Sequence, residues 1–288
     1  MERESRVTGV DGPEGRRGRL RRDQMLGLIR TRGFVSTAEL AKTFEVSTVT
    51  ARADVDRLAA QGRVRRVRGG VIVGDLPHTE RPFELTRDEA AREKAAIAAA
   101  AAELIASGQT LILDVGSTTT AVAHALVARA DLTNIVVITN GLTIATVLEP
   151  AIPRFTVILT GGTLRPMQHS LVDPLGGCVL ERIQADLAFV GCNGVHPQAG
   201  VTNINLPEVE MKARAIGAAR RCIVLADGTK VGQVALGRIC LIEQIDLLVT
   251  GPSAPEETLE ALRARGLEIH VVELASSSDQ ERPAELGA

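Results

Sequence analysis

From Gln109 onward the chain alternates between two patterns: an apolar run ending in glycine or polar residues, then a stretch with helical spacing. The runs 109–115, 134–139, 155–160, 186–190, 222–226, 245–250 and 267–273 read as strands, and 118–128, 142–149, 206–220 and 255–265 as helices. Strands this rich in Val, Ile and Leu have no polar face to offer water, so both faces must be covered. Such strands alternating with helices predict a mostly parallel α/β sheet. An alanine-rich helix, "KAAIAAAAAELIASG", leads into it from Lys94 and closes at Gly108.

The chain before this point has a different character. Residues 1–74 hold 16 Lys and Arg against 9 Asp and Glu, while the remainder is acidic, although the whole chain carries only -2. A basic segment on an acidic body points to a polyanionic partner for that segment alone. Met25, Leu28 and Ile29 share one helical face, and Gly33 ends that helix. Ser36 and Glu39 then spell a capping box, in which each side chain satisfies the other's free backbone donor. Ser47 is a second cap, opening a helix that runs to about Gln61. Two short capped helices joined by a tight turn predict helix-turn-helix.

On the second helix Ala51, Val55 and Leu58 must face inward, leaving Val49, Thr50, Arg52, Ala53 and Arg57 outward. Slim residues near the N-terminus with arginines behind them suit the major groove of double-stranded DNA. "RVRRVRGGVIVG" follows as two short strands around Gly69 and Gly70, a wing whose Arg63, Arg65, Arg66 and Arg68 suit phosphates or a minor groove. The expected DNA contacts are Ser36, Ser47, Thr48, Thr50, Arg52, Arg57, Arg65, Arg66 and Arg68. The expected organisation is a disordered 1–17, a winged helix-turn-helix domain over 18–73, a proline-bearing charged linker over 74–93, an α/β domain over 94–274 and a disordered tail over 275–288.

Open parallel sheets bind ligands at the carboxyl ends of their strands. The residues falling there are Asp114, Gly116, Ser117, Thr118 and Thr119 after the first strand, Asn140 after the second, Gly161 and Gly162 after the third, Gly194 after the fourth, and Asp227 and Lys230 after the fifth. Glu208 and Lys212 come from the helix 206–220. "LDVGSTTT" has the layout of a phosphate cradle: a glycine permits close approach, and the amides of a helix N-terminus attract an anion. With Lys230 for charge and Asp114, Asp227 and Asn140 for hydroxyls, a phosphorylated sugar is the natural occupant. Taken singly each residue has a plainer explanation: Ser117 or Thr118 as a helix cap, Asp227 as a turn residue, Lys212 and Lys230 as solvated lysines. The coincidence of position carries the reading.

Other classes are excluded by composition. Neither G-K-[ST] nor a G-x-G-x-x-G after the first strand occurs, so no nucleotide cofactor is expected. Cys178, Cys192, Cys222 and Cys240 are too widely spaced for a metal site or a disulfide framework. Histidines show no ligand or triad spacing. With aromatics at only 2% and no Trp or Tyr, aromatic stacking on bases is not the expected recognition mode. No apolar run reaches the ~20 residues of a membrane span, and a cytoplasmic protein is expected.

These motifs resemble the DeoR family of bacterial transcriptional regulators from about residue 18 to 251. The resemblance rests on "RRDQMLGLIRTRGFVSTAELAKTFEVSTVTARADVDRLAAQGRVRRVRGG" and on Lys94, "LDVGSTTT", "VITN", "ILTGG", "AFVGCNGV", "PEVEMKARAI" and "LADGTKVG". It implies a C-terminal domain similar to ribose-5-phosphate isomerase and CoA-transferase folds that senses a phosphorylated sugar, and a homodimer or homotetramer acting as a repressor of carbohydrate genes rather than as an enzyme. Two positions depart from the family pattern: Ala53 stands where a second arginine is usual, and Arg68 where histidine is usual. The alternative is a phosphosugar isomerase with an appended domain, its base drawn from Asp114, Glu208, Asp227 or Lys230.

Overall fold

The computed structural model describes residues 13–32, 34–60, 63–67, 70–73, 80, 82–172 and 174–274. They fall into two compact units, dividing after Thr79.

The first unit contains α1 (Pro13–Arg32), β1 (Phe34–Ser36), α2 (Thr37–Thr43), α3 (Thr48–Ala60), β2 (Val64–Val67) and β3 (Gly70–Val73). The strands form an antiparallel sheet in the order β1-β3-β2. The expected hairpin therefore gains a third strand, because Phe34 to Ser36 pair with Ile72 to Gly70. Helix α1 begins at Pro13, so residues 13–17, expected to be disordered, are helical; proline suits a first helical turn because its missing N–H would have no partner there. Met25 and Ile29 are buried as expected, but Leu26 joins them and Leu28 is only half-buried. Ala51, Val55 and Leu58 of α3 complete that core. Asp54, also inward, is neutralised by Arg21 and Arg22 of α1 at 2.7 and 3.2 Å.

The second unit contains α4 (Phe83–Arg87), α5 (Ala91–Glu103), β4 (Thr110–Leu113), α6 (Ser117–Ala128), β5 (Ile135–Thr139), α7 (Leu142–Leu148), β6 (Phe155–Leu159), β7 (Thr163–Arg165), β8 (Ser170–Val172) and α8 (Leu175–Leu180). It continues through β9 (Ala185–Gly191), β10 (Gly194–His196), β11 (Gly200–Asn203), α9 (Leu206–Gly217), β12 (Ala219–Ala226), β13 (Gly237–Cys240), β14 (Leu247–Thr250), α10 (Glu256–Arg263) and β15 (Glu268–Val271). Seven strands form one parallel sheet in the order β15-β14-β12-β9-β4-β5-β6.

Residue alternation along β4 shows how the faces are covered. Leu111 and Leu113 pack with Ile97, Val122 and Leu126 of α5 and α6, while Ile112 packs on the other face with Met211 of α9 and Leu259 of α10. Successive strands run outward from β4 in one direction and from β9 in the other. The order reverses between β4 and β9, and loops leaving that point diverge and open a crevice at the carboxyl ends. Two small antiparallel pieces, β7-β8 and β10-β11-β13, frame it.

Residues 80–93 are not a linker, as Pro82 and their charges suggest, but part of the second unit. Phe83 is buried and its N–H donates to Met167 O at 2.9 Å. Glu93, at the start of α5, accepts from the N–H of Gly228 at 2.9 Å and of Ser253 at 3.0 Å. A single carboxylate thus satisfies donors in two separate loops. The expected disordered tail 275–288 and residues 1–12 lie outside the described residues. Among the described residues no helix is long and apolar enough to cross a membrane.

Candidate functional site

The expected residues fall into two constellations, one in each unit. In the first, α3 presents Thr48, Val49, Arg52, Ala53 and Arg57 to solvent. Val49 is 73% exposed; an apolar side chain at such a position suits a thymine methyl. Ser36 and Ser47 act as helix caps, Ser36 accepting from Glu39 N and Ser47 from Thr50 N, each at 3.0 Å. The capping box at Ser36 is only half made, because the Glu39 carboxylate pairs with Arg32 instead. Ser36 is thus occupied within the fold, whereas the Ser47 hydroxyl is exposed and shares a 2.8 Å hydrogen bond with Thr50 Oγ1. In the wing, Arg63 pairs with Asp23 at 3.0 Å and Arg66 pairs with Asp56 of α3. Such exposed pairs are worth at most about 1 kcal/mol and yield readily to phosphate. Arg68 and the Arg65 side chain lie outside the described residues.

In the second unit a cavity of about 170 Å³ opens at the carboxyl ends of β4, β9 and β12. Its wall at β4 is the N-terminus of α6. Gly116 caps this helix with φ +150°, a conformation that excludes side chains, and offers no side-chain acceptor to the first amides. The amides of Ser117 and Thr118 therefore face the cavity as an anion-attracting edge. Thr119 does not line it: its hydroxyl donates to Gly116 O at 3.0 Å and its side chain is fully buried. At β12, Asp227 accepts from Thr229 N at 3.2 Å, and Lys230 follows on the same turn. Lys230 lines the cavity and carries no ion pair among the described residues.

The floor holds a buried ion pair. Lys212 of α9 donates to Asp114 at the end of β4, and Asp114 also accepts from Gly191 N at 3.1 Å. Both side chains are 3% exposed. Burial pushes the Asp114 carboxyl up to about 6 against the pull of Lys212. Burial also works against the Lys212 ammonium, but Asp114 and Glu208 outweigh it and hold its pKa above the usual lysine value. Asp114 is thus the partner of a cavity lysine rather than a wall residue. Glu208, one turn before Lys212, accepts from Ser170 at 3.0 Å, from Asn203 at 3.3 Å and from Arg165.

Because folding raises the Asp114 pKa, its proton favours the folded state. That contribution is complete below about pH 4 and is lost as pH rises through about 6. Asp114→Asn should remove a decline in stability across this window. The test is urea unfolding followed by circular dichroism, since the chain has no Trp or Tyr to report by fluorescence. An unaltered slope would refute the assignment.

Four expected ligand contacts lie elsewhere. Both ends of the Asn140 amide are spent on backbone: Oδ1 accepts from Val115 N and Nδ2 donates to Leu171 O, each at 3.2 Å. Gly161 and Gly162 make the turn into β7, where a Cβ on Gly162 would sit 2.4 Å from Val172 O. Gly194 pairs with Thr202 in the small antiparallel sheet. Conversely, composition gave no warning that Glu80, Thr86, Glu89 and Lys94 would line the cavity. Lys94, part of the family motif, donates its ammonium to Thr86 O. Lys212, a sequence candidate, is not a solvated lysine: with Glu208, Met211 and Ala215 it forms one buried stripe of α9. Cys192 also lines the cavity, and burial pushes its thiol up to about 12, so it is neutral.

Family comparisons match both units. The DeoR-like helix-turn-helix domain matches residues 21–75 and the DeoR C terminal sensor domain residues 89–252. The chain is 33% identical over 256 residues to the HTH-type transcriptional regulator GolR of Listeria innocua, covering 88% of this chain and 98% of that relative. It is 28% identical over 253 residues to the glycerol-3-phosphate regulon repressor of Escherichia coli K12, covering 87% and 98%. Among solved structures, ribose 5-phosphate isomerase A from Methanocaldococcus jannaschii superposes with a TM-score of 0.35 at 19% identity, covering 48% of this chain and 53% of the isomerase.

Proposed function

Because the chain belongs to the DeoR family of DNA-binding transcriptional regulators, we propose that it represses genes of carbohydrate use and that a phosphorylated sugar in the β4–β9–β12 cavity controls it. The observation that carries this reading is the meeting of a helix N-terminus with no side-chain cap, at Gly116, with the Lys230 ammonium, unpaired among the described residues, across a polar cavity. Amides and a lysine suit a phosphate. Asp227, Glu80 and Glu89, set around them, suit hydroxyls. The name of the Escherichia coli relative, for glycerol-3-phosphate, points to the same chemical class.

The role proposed is binding without turnover. Effector can move the protein between DNA-bound and released forms only by binding them unequally. Operator reading by a helix-turn-helix favours a symmetric assembly, so a homodimer or homotetramer is part of the proposal.

A thermal-shift screen should show stabilisation by one or more sugar or polyol phosphates and none by the corresponding free sugars. Lys230→Met should weaken that ligand about tenfold or more, the loss of one charge-assisted contact, without lowering the melting temperature of the free protein. Isomerisation of a pentose or hexose phosphate, abolished by the same substitution, would replace this reading with an enzymatic one.

A further inference from the structure

Residues 80–94 stand between the helix-turn-helix unit and the parallel sheet in sequence, and they also build one side of the cavity. At its far end the segment is held by Glu93, which accepts from Gly228 and Ser253 N–H; its first turn is held elsewhere. Besides the Phe83 N–H bond to Met167 O, the Phe83 ring lies 5.5 Å from that of His169, and His169 Nε2 is 3.2 Å from Glu84. These anchors all reach the β7–β8 hairpin rather than the sheet. Glu80, the first residue of the second unit, is bound by Arg165 of β7, whose other nitrogen holds Glu208 of α9. Arg165 is 17% exposed, and it is the cation that keeps two cavity carboxylates together.

We propose that Arg165 is the residue through which the cavity controls the start of this segment: it clasps Glu80 to Glu208, and a ligand that hydrogen-bonds these carboxylates holds the clasp shut. The proposal rests on the sugar-phosphate reading above. A buried and a half-buried carboxylate of like charge repel unless a cation lies between them. Burial already raises the Glu80 pKa, Glu208 adds to the rise, and Arg165 opposes both. Without Arg165 the less buried Glu80 leaves for water and takes the segment's first turn with it. Ligand hydroxyls donating to Glu80 and Glu208 lower that repulsion and favour the seated form. Only six residues, 74–79, separate Glu80 from β3, so seating and release act directly on the connection to the DNA-binding unit.

The test uses the full chain and Arg165→Gln, a residue outside the cavity lining. In hydrogen exchange without ligand, Arg165→Gln should speed exchange of the 83–94 amides about tenfold while β9 and β12 amides keep wild-type rates. Unchanged exchange in 83–94 overturns the clasp; a rise everywhere means general unfolding, and the double variant Arg165→Gln/Glu80→Gln, which removes the repulsion along with the cation, must then bring 83–94 exchange back towards wild type or the proposal fails. The sugar phosphate found by thermal shift should slow exchange of 83–94 in wild type. It should also change affinity for duplexes selected from a random-sequence pool, and this ratio should collapse towards one in Arg165→Gln while ligand binding persists. A full ratio in the variant overturns the coupling. If no sugar phosphate binds wild type, the effector reading fails instead, and the ligand-free arm still decides whether Arg165 clasps Glu80.

Discussion

Lys212→Met is expected to destabilise the second unit by about 3–5 kcal/mol near neutral pH, the range for removing one partner of a buried ion pair. The side chain it removes is the only cation in contact with Asp114 among the described residues. The carboxylate would keep one hydrogen bond, from Gly191 N at 3.1 Å, for a charge that burial already disfavours. Glu208 keeps Arg165, so the damage centres on Asp114. Two further outcomes separate lost charge pairing from lost packing. At about pH 5 the cost should shrink, because Asp114 then takes up a proton and needs no partner. In the double variant Asp114→Asn/Lys212→Met the cost should fall well short of the sum of the single costs, since no unpaired charge remains. Exchange rates of the β9 and β12 amides measure all three proteins. A loss under about 1 kcal/mol, insensitive to pH, would mean that the pair is solvated.

The same pair shows where sequence reasoning stopped. The inner parallel strands were legible because burial on both faces demands unbroken apolar runs. Of the half-exposed edge strands, β6 kept an apolar run and β15 an apolar alternation, and the crevice was legible because strand order must reverse somewhere. The three-residue strands at Thr163, Ser170 and Gly194 carry too few residues for any periodicity to show. At the site, residue type and position were readable, but the direction of each hydrogen bond was not. Asn140 has the right chemistry for a sugar hydroxyl and spends it on Val115 and Leu171. Asp114 spends its own on Lys212. The segment 80–93 misled for a compositional reason: its charges look solvent-directed, yet Glu93 and Glu80 turn inward to meet backbone donors and an arginine. Phe83, the one aromatic residue among them, was the available signal.

On DNA, substitutions in α3 and in the wing should fail in different ways. Arg52→Ala, on the exposed face of α3, is expected to cost about 1–3 kcal/mol against the preferred duplex and to relax discrimination at one base position, as loss of a base-edge contact does. Arg66→Ala should instead weaken every duplex alike and lower the slope of log affinity against log salt by about 1, the mark of a lost phosphate contact. Arg66 is paired with Asp56 in the free protein, so reaching a phosphate means exchanging one partner for another. Asp56→Asn removes both that competitor and a negative charge near the DNA. It should raise affinity several-fold on all sequences, about 1 kcal/mol at most for an exposed pair, and leave base preference unchanged. Ala53, exposed where the family usually carries arginine, supplies the reverse test. Ala53→Arg should add a non-selective gain if the position meets phosphate, or a new base preference if it meets the groove floor. Binding to duplexes selected from a random-sequence pool, in a salt series, reads every variant. If Arg52→Ala and Arg66→Ala change affinity, preference and salt slope in the same way, α3 is not the reading helix and β2 is not the wing.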